Sequence, residues 1–397
     1  MTGLALDLTG AEVLFPDGLR RERLSFADGV ITSDPTGYEV DLGGFLVLPG
    51  IIDLHGDGFE RHLAPRRGAM KEMTEGVVAA EAELAANGIT TGVMAQFYSW
   101  EGGLRGPEFA ARVFAAIRDV RGEVVTDLIP QLRFEINLLD HYAGLPKQIA
   151  EWDVPYVVFN DHLPHDRLAA GKKPPRLTGQ ALKAGRNPER HWAFLRELHD
   201  RSPEVPAALD RLVPQLAAAG LRMGSHDDHT EIDRATWRSR GVAISEFPET
   251  AEAAEAARDA ADSVILGAPN VVRGGSHKGN ASAVELITMG LGDALASDYH
   301  YPSPRRAALM LVRSGICDLA TAWNLLSQGP ARILGLSDRG RIAPGLRADL
   351  VILDAASQRV AATISAGRLS YLHGDIASRL IGQRRPFSGS TSPRQGA

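Results

Sequence analysis

The sequence predicts a (β/α)8 barrel joined to a small β domain that both termini build, on three observations. The chain has 397 residues, more than one ordinary small domain needs and about what such a barrel takes with additions. From residue 51 onward, short β-like apolar runs alternate with alanine-rich helical stretches such as TEGVVAAEAELAAN and TAEAAEAARDAAD, the rhythm of βα units. The runs are IIDLH, ITTGVMA, LIPQLRFEI, YVVFNDH, LRMGSH, VAISEFP, VILGAPN and DALASD. That is eight, the number a closed parallel barrel needs.

Before the barrel, LALDL, AEVLF, ERLSF, GVITS and FLVLP read as short strands, with Pro16-Asp17-Gly18 and Asp28-Gly29 as turns between them. After about residue 338, RGRIAPGLRADLVILD returns to strand character. The expected organisation is a β domain from residues 1–50 and 338–390, a catalytic barrel over 51–337 and a flexible tail over 391–397. PFSGSTSPRQGA, at the end, lacks core-forming residues.

A hydrophobic fraction of 44% with 23% charged residues is that of a soluble globular protein. The net charge of −6 argues against a general nucleic-acid binder, which carries a basic excess. Cys317 is the single cysteine, so an intramolecular disulfide and a cysteine zinc cluster are excluded and a reducing compartment is expected. The N-terminal stretch has no basic region and no apolar run long enough to span a membrane occurs. A cytoplasmic location without membrane partners follows as the expectation. Walker-type, dinucleotide-binding and Gly-x-Ser-x-Gly motifs are absent, so nucleotide-driven phosphoryl transfer, dinucleotide redox chemistry and serine hydrolysis have no support.

Chemistry-bearing side chains sit at the ends of the expected strands. His55 and Asp57 close the first, and their i, i+2 spacing turns both to one side of an extended chain. Glu135 lies near the end of LRFEI, His162 ends YVVFNDH, His226 ends LRMGSH and Asp298 ends DALASD. Any one of these could be a helix cap or a rim residue. Six N/O donors at one barrel mouth point instead to one or two divalent ions, zinc above all, with iron or manganese as alternatives. Asp161, Asp227, Asp228 and His229 adjoin these residues; they could orient imidazoles through the other ring nitrogen, and Asp227 or Asp228 could equally cap a helix.

A second cluster is APNVVRGGSHKGN. Its paired glycines allow close backbone approach, while Arg273, Ser276, His277 and Lys278 supply donors and positive charge suited to phosphate oxygens. A structural turn would look much the same. Arg66, in Pro65-Arg66-Arg67, is a further candidate anion contact or a solvated surface residue. Residues 163–190 carry seven Lys or Arg against two acidic residues; they read as a long basic loop on the catalytic rim, either a lid for an anionic substrate or a solvated insertion.

LPGIIDLHGD, the strand-end acids and histidines, ASDYH and the closing GRIAPGLRADLVILD resemble the amidohydrolase superfamily over nearly the whole chain. Within it, NDH, SHDD, ISEFPET and GAPNVVRGGSHKGN are similar to the PhnM-type diphosphatases of phosphonate catabolism, although HGDG stands where that group usually has HTDN. The resemblance implies a β-sandwich from both termini beside a metal-bearing barrel, and homo-oligomers. It implies hydrolysis of α-D-ribose 1-methylphosphonate 5-triphosphate to 5-phospho-α-D-ribose 1-methylphosphonate and diphosphate. His55, Asp57, Glu135, His162, His226 and Asp298 would be metal ligands, with Asp298 also the catalytic proton acceptor. Two other readings stand beside it. The same donors would serve a deaminase or cyclic amidase acting on a C–N bond, although a neutral substrate would leave Arg273 and Lys278 without a partner. A non-catalytic scaffold should have lost donors, and here the set is complete.

Overall fold

The structure, a computed structural model, describes residues 3–64, 72–275 and 280–382. Seven strands precede the barrel: β1 (Leu6–Thr9), β2 (Glu12–Phe15), β3 (Gly18–Arg20), β4 (Leu24–Ala27), β5 (Val30–Thr32), β6 (Glu39–Asp41) and β7 (Phe45–Pro49). Three follow it: β16 (Leu350–Asp354), β17 (Val360–Ser365) and β18 (Arg368–Leu372). They form two sheets of order β5-β4-β1-β6 and β18-β17-β16-β7-β2-β3. Leu8, Phe26 and Val40 of the first sheet share an apolar core with Val47, Ile352 and Ile364 of the second, which makes a sandwich. Its two ends meet where β16 pairs antiparallel with β7. The sequence reading missed β3 and β6. Each is three residues long, lies at a sheet edge and is mostly exposed, so neither carries an apolar run.

Between them lie β8 (Ile51–Gly56), β9 (Ile89–Tyr98), β10 (Asp127–Glu135), β11 (Tyr156–Asn160), β12 (Arg222–His226), β13 (Ile244–Glu246), β14 (Ser263–Gly267) and β15 (Ala294–Ala296). They are parallel neighbours in sequence order, at the eight runs expected. The barrel closes between β15 and β8. The Asp298 amide donates to the His55 carbonyl at 2.8 Å and the Asp57 amide to the Asp298 carbonyl at 2.9 Å. Deeper in the same seam, Asp53 accepts from the Ser297 amide at 2.8 Å and its hydroxyl at 2.5 Å.

Helices cover the barrel with the apolar faces their sequences supply. Met73–Ala86 buries Val77, Ala80 and Leu84, and Pro107–Val120 buries Val113, Phe114 and Ile117. The helix Glu231–Ser239 is tied down by a buried arginine. Arg234 donates to Asp262 at 2.6 Å, to Asp228 at 3.1 Å, to Ser225 at 2.6 Å and to the Val242 carbonyl at 3.1 Å.

Residues 163–190 are not one long loop. They form the helices His165–Ala169 and Leu177–Lys183 and the start of Pro188–Asp200, because Leu168, Leu177 and Ala181 find buried positions. Their basic residues are partly committed to structure: Arg186 donates to the Trp100 carbonyl and Lys173 to Glu189.

Candidate metal centre

The barrel brings the ends of β8, β10, β11, β12, β13 and β15 to one rim. Three overlapping sets of donor atoms gather there: His55, Asp57 and Asp298; His55, His226 and Glu246; and His162, His226 and Asp227. Five of the six expected ligands, His55, Asp57, His162, His226 and Asp298, are therefore together. Between the first two stands Gly56, whose Cβ would lie 2.7 Å from the Tyr301 ring and 2.8 Å from Asp53. Only glycine lets the chain pass the seam at that point.

Glu135 belongs to no set among the described residues. Its Oε1 lies 2.5 Å from His162 Nδ1, while its Oε2 accepts from Trp100 Nε1 at 3.1 Å and the His162 amide at 3.2 Å. It stands behind His162 and orients the ring. Glu246, absent from the expected site residues, does the same for His55. Its Oε2 lies 2.7 Å from His55 Nδ1, and its Oε1 accepts from Tyr156 Oη at 2.6 Å and Gln131 Nε2 at 2.9 Å. Burial opposes ionisation of Glu246, yet His55 and these bonds hold its pKa below the usual value.

Two imidazoles thus have Nδ1 on a fully buried carboxylate. Histidines that bind metals are arranged in this way, which fixes the tautomer and leaves Nε2 for the ion. His55 Nε2 is buried with no hydrogen-bond partner. An imidazole nitrogen left in that state is costly unless something coordinates it. The N/O donor chemistry and this unpartnered nitrogen both fit a divalent cation.

The carboxylates show what the clustering does to charge. Asp298 is pushed up to about 6, by burial and then by the neighbouring Asp57. Asp227 lies 3.1 Å from His226 and 3.8 Å from His162; burial works against it, but the two rings hold it far below the usual carboxylate range. His162 is raised to about 9, Asp227 and Glu135 outweighing burial. Asp227, Phe247 and Asp298 all have φ between 54° and 59°, in the left-handed region that non-glycine residues seldom adopt. Such strain gathers where side chains must be aimed.

Asp161 and Asp228 do not serve the centre directly. Asp161 accepts from Asn137 and lies 3.2 Å from His165, while Asp228 is bound by Ser225, Ser245 and Arg234. Asp228 does not cap the helix that follows it; Thr230 does.

A cavity of about 290 Å³ opens above the donors, lined among others by Asp57, Phe97, Arg133, His226, Arg273 and Asp298. The expected glycine-rich loop begins as a helix, Ala268–Arg273, ended by Gly274 at φ 76°. Arg273 is the last helical residue, exposed at the mouth and hydrogen-bonded to the Tyr299 hydroxyl. Ser276, His277, Lys278 and Arg66 lie outside the described residues. Arg133, which the sequence reading also missed, donates to Asp57 at 3.2 Å and lies 3.1 Å from His226 Nε2.

The profile of the amidohydrolase family matches residues 204–376. The alpha-D-ribose 1-methylphosphonate 5-triphosphate diphosphatase of Escherichia coli K12 is 34% identical over 325 residues, 78% of this chain and 83% of that protein. Among solved structures, N-acetylglucosamine-6-phosphate deacetylase from Pasteurella multocida superposes with a TM-score of 0.62 at 11% identity, over 92% of this chain and 99% of that one. A beta-aspartyl dipeptidase from Fervidobacterium islandicum gives 0.61 at 14%, over 92% and 96%. At such identities these two speak for the fold alone.

Proposed function

The chain belongs to the amidohydrolase family as a metal-dependent hydrolase, and we propose that it cleaves α-D-ribose 1-methylphosphonate 5-triphosphate to 5-phospho-α-D-ribose 1-methylphosphonate and diphosphate. The observation that carries the reading is the likeness over most of the chain to a diphosphatase with that substrate, in a protein that gathers five of the six expected donors at one rim. The C–N-hydrolysing alternative has no relative of comparable identity behind it.

In this reading His55, Asp57, His162, His226 and Asp298 would hold one or two divalent ions, zinc above iron or manganese, and Glu246 and Glu135 would aim the imidazoles. Such an ion supplies Lewis acidity toward phosphoryl oxygens and a water acidic enough to ionise near pH 7. Asp298, beside Asp57 on the rim, would take a proton from the attacking water. Water's oxygen bonds to the α-phosphorus and the bond to the bridging oxygen breaks. Diphosphate leaves toward the mouth, where Arg273 stands with Tyr299; Arg66, Ser276, His277 and Lys278 complete the proposed phosphate contacts.

The enzyme would work in the cytoplasm as a homo-oligomer on a small phosphorylated substrate, with neither nucleic acid nor membrane as partner. Among the described residues no helix is long and apolar enough to cross a membrane. Phosphorus NMR of the products formed in ¹⁸O-water tests the reaction. Diphosphate free of label beside a labelled sugar phosphate is expected; stepwise release of orthophosphate, or an untouched triphosphate, would refute it.

A further inference from the structure

We infer that Arg133 is the residue that fits this centre to phosphoryl transfer, its guanidinium binding a non-bridging oxygen of the phosphoryl group under attack. The inference rests on the phosphoanhydride reading above and goes beyond it by assigning that contact to one side chain.

Alternation along β10 turns Gln131, Arg133 and Glu135 into the barrel, one above another. The outer two are explained: Gln131 donates to Glu246 and Glu135 holds His162. Arg133 is different. Its Nη1 donates to Asp57 and its Nη2 lies beside His226, so the guanidinium stands where the donor sets meet and lines the cavity above them. Its Nε is buried with no hydrogen-bond partner. A guanidinium that hydrogen-bonds Asp57 and stands near Asp298 and Glu60 still leaves a buried N–H without a partner, a cost that stability alone does not explain.

The side chain is also held in place. The guanidinium lies 3.8 Å from the centre of the Phe97 ring, and Arg105 stacks on the same ring at 4.0 Å. Arg105 is itself fixed by Glu101 at 3.0 Å. This fixes a planar fork of N–H donors at the place where the reacting group must come to meet Asp57 and Asp298.

The chemistry of the two substrate classes decides what such a fork is for. An acyl group under attack develops charge on one oxygen, whereas a phosphoryl group in transfer spreads charge over three. A planar guanidinium matches adjacent phosphoryl oxygens and keeps its charge at any working pH. Arg133 forms and breaks no covalent bond; water's proton goes to Asp298 and the electron pair of the broken bond leaves with diphosphate.

Arg133→Met and Arg133→Lys, each loaded with zinc, test this. Methionine keeps the bulk without the charge, and lysine keeps the charge without the fork. Arg133→Met should keep wild-type zinc content, lose at least about 100-fold in kcat as other arginine and oxyanion contacts do, and change KM less than about fivefold. Its affinity for inorganic orthovanadate, which can take a fifth ligand on binding and so mimic a phosphoryl group in transfer, should fall at least about tenfold by titration calorimetry, with Arg133→Lys in between. Loss of zinc from both variants would overturn the assignment and make Arg133 a positioning residue for Asp57 and His226. Unchanged kcat and vanadate affinity with zinc retained would overturn it as well. Vanadate binding needs no turnover. A wild-type protein that leaves the triphosphate intact would therefore sink the proposed function, while the vanadate ratio would still decide Arg133.

Discussion

Replacing Glu246 by glutamine isolates what one buried charge does for the centre. The carboxylate is inaccessible to solvent and sits 2.6 to 2.9 Å from Tyr156, His55 and Gln131. Glutamine fills the same space and keeps an oxygen for His55 Nδ1. Gln131 Oε1 has no partner, so rotation of that amide can satisfy the new NH2. The change that remains is a charge-assisted bond exchanged for a neutral one, roughly 1.5–3 against 0.5–1.5 kcal/mol. At about 1.4 kcal/mol per decade, the expected loss in metal affinity is about tenfold, toward the lower end of what groups supporting metal ligands contribute. Alanine would be uninformative. It leaves three buried donors unpaired at about 1–3 kcal/mol each, a sum that rivals the whole stability of a domain. The assay is zinc competition against a chelator of known affinity, with thermal melts of zinc-loaded and chelated protein. Glu246→Gln should lower the melting temperature mainly in the zinc-loaded form. Affinity within threefold of wild type would refute the view that Glu246 sets the His55 tautomer for a metal.

Other substitutions probe other links. Asp298→Asn should cut kcat by about 10²–10⁴ while far-ultraviolet circular dichroism stays unchanged; full activity would end its role as proton acceptor. Arg234→Met leaves Asp228 buried without its cation and Asp262 with Arg238 alone, and should cost about 3–5 kcal/mol in urea unfolding, enough that a change under 1 kcal/mol would contradict the network. Asp7 accepts from Ser25, Thr36 and Gly37, bonds that hold its pKa below the usual value despite burial. Its contribution is therefore complete above its unfolded pKa of about 4 and is lost as pH falls through the lower folded value. Asp7→Asn should be less stable than wild type by about 2 kcal/mol at pH 7, with a gap that narrows in acid; a gap that widens there would reverse the sign.

The barrel was legible because its strands bury apolar runs in nearly every case, and six of the eight carry a His, Asp or Glu at or just past their end. Those ends come to one rim by construction, so His55, Asp57, His162, His226 and Asp298 could be picked out before any contact was known. Glu246 was harder to see. β13 has only three residues, and a Glu after Ile-Ser gives no periodicity to read. Arg133 hid inside LIPQLRFEI, where the available signal was the alternation of Gln131, Arg133 and Glu135. Polar residues at every second place of an otherwise apolar strand mark a face that looks into a polar interior. For Glu135 the sequence offered only its place at a strand end, and spacing cannot tell a ligand from a side chain that bonds His162 Nδ1, as it does here. The basic stretch at 163–190 misled because its charges and prolines are local, whereas the burial of Leu168 and Leu177 depends on the rest of the barrel.

The most direct test is metal reconstitution. Protein stripped by chelator and titrated with zinc, manganese or ferrous iron should release diphosphate from the ribose 5-triphosphate in proportion to metal bound, saturating at one or two ions per chain. Zinc at about 1,000 times its dissociation constant should also stabilise the fold by about 4 kcal/mol. Diphosphate release that is equally fast in the stripped protein, or saturating metal binding in protein that releases none, would contradict the account.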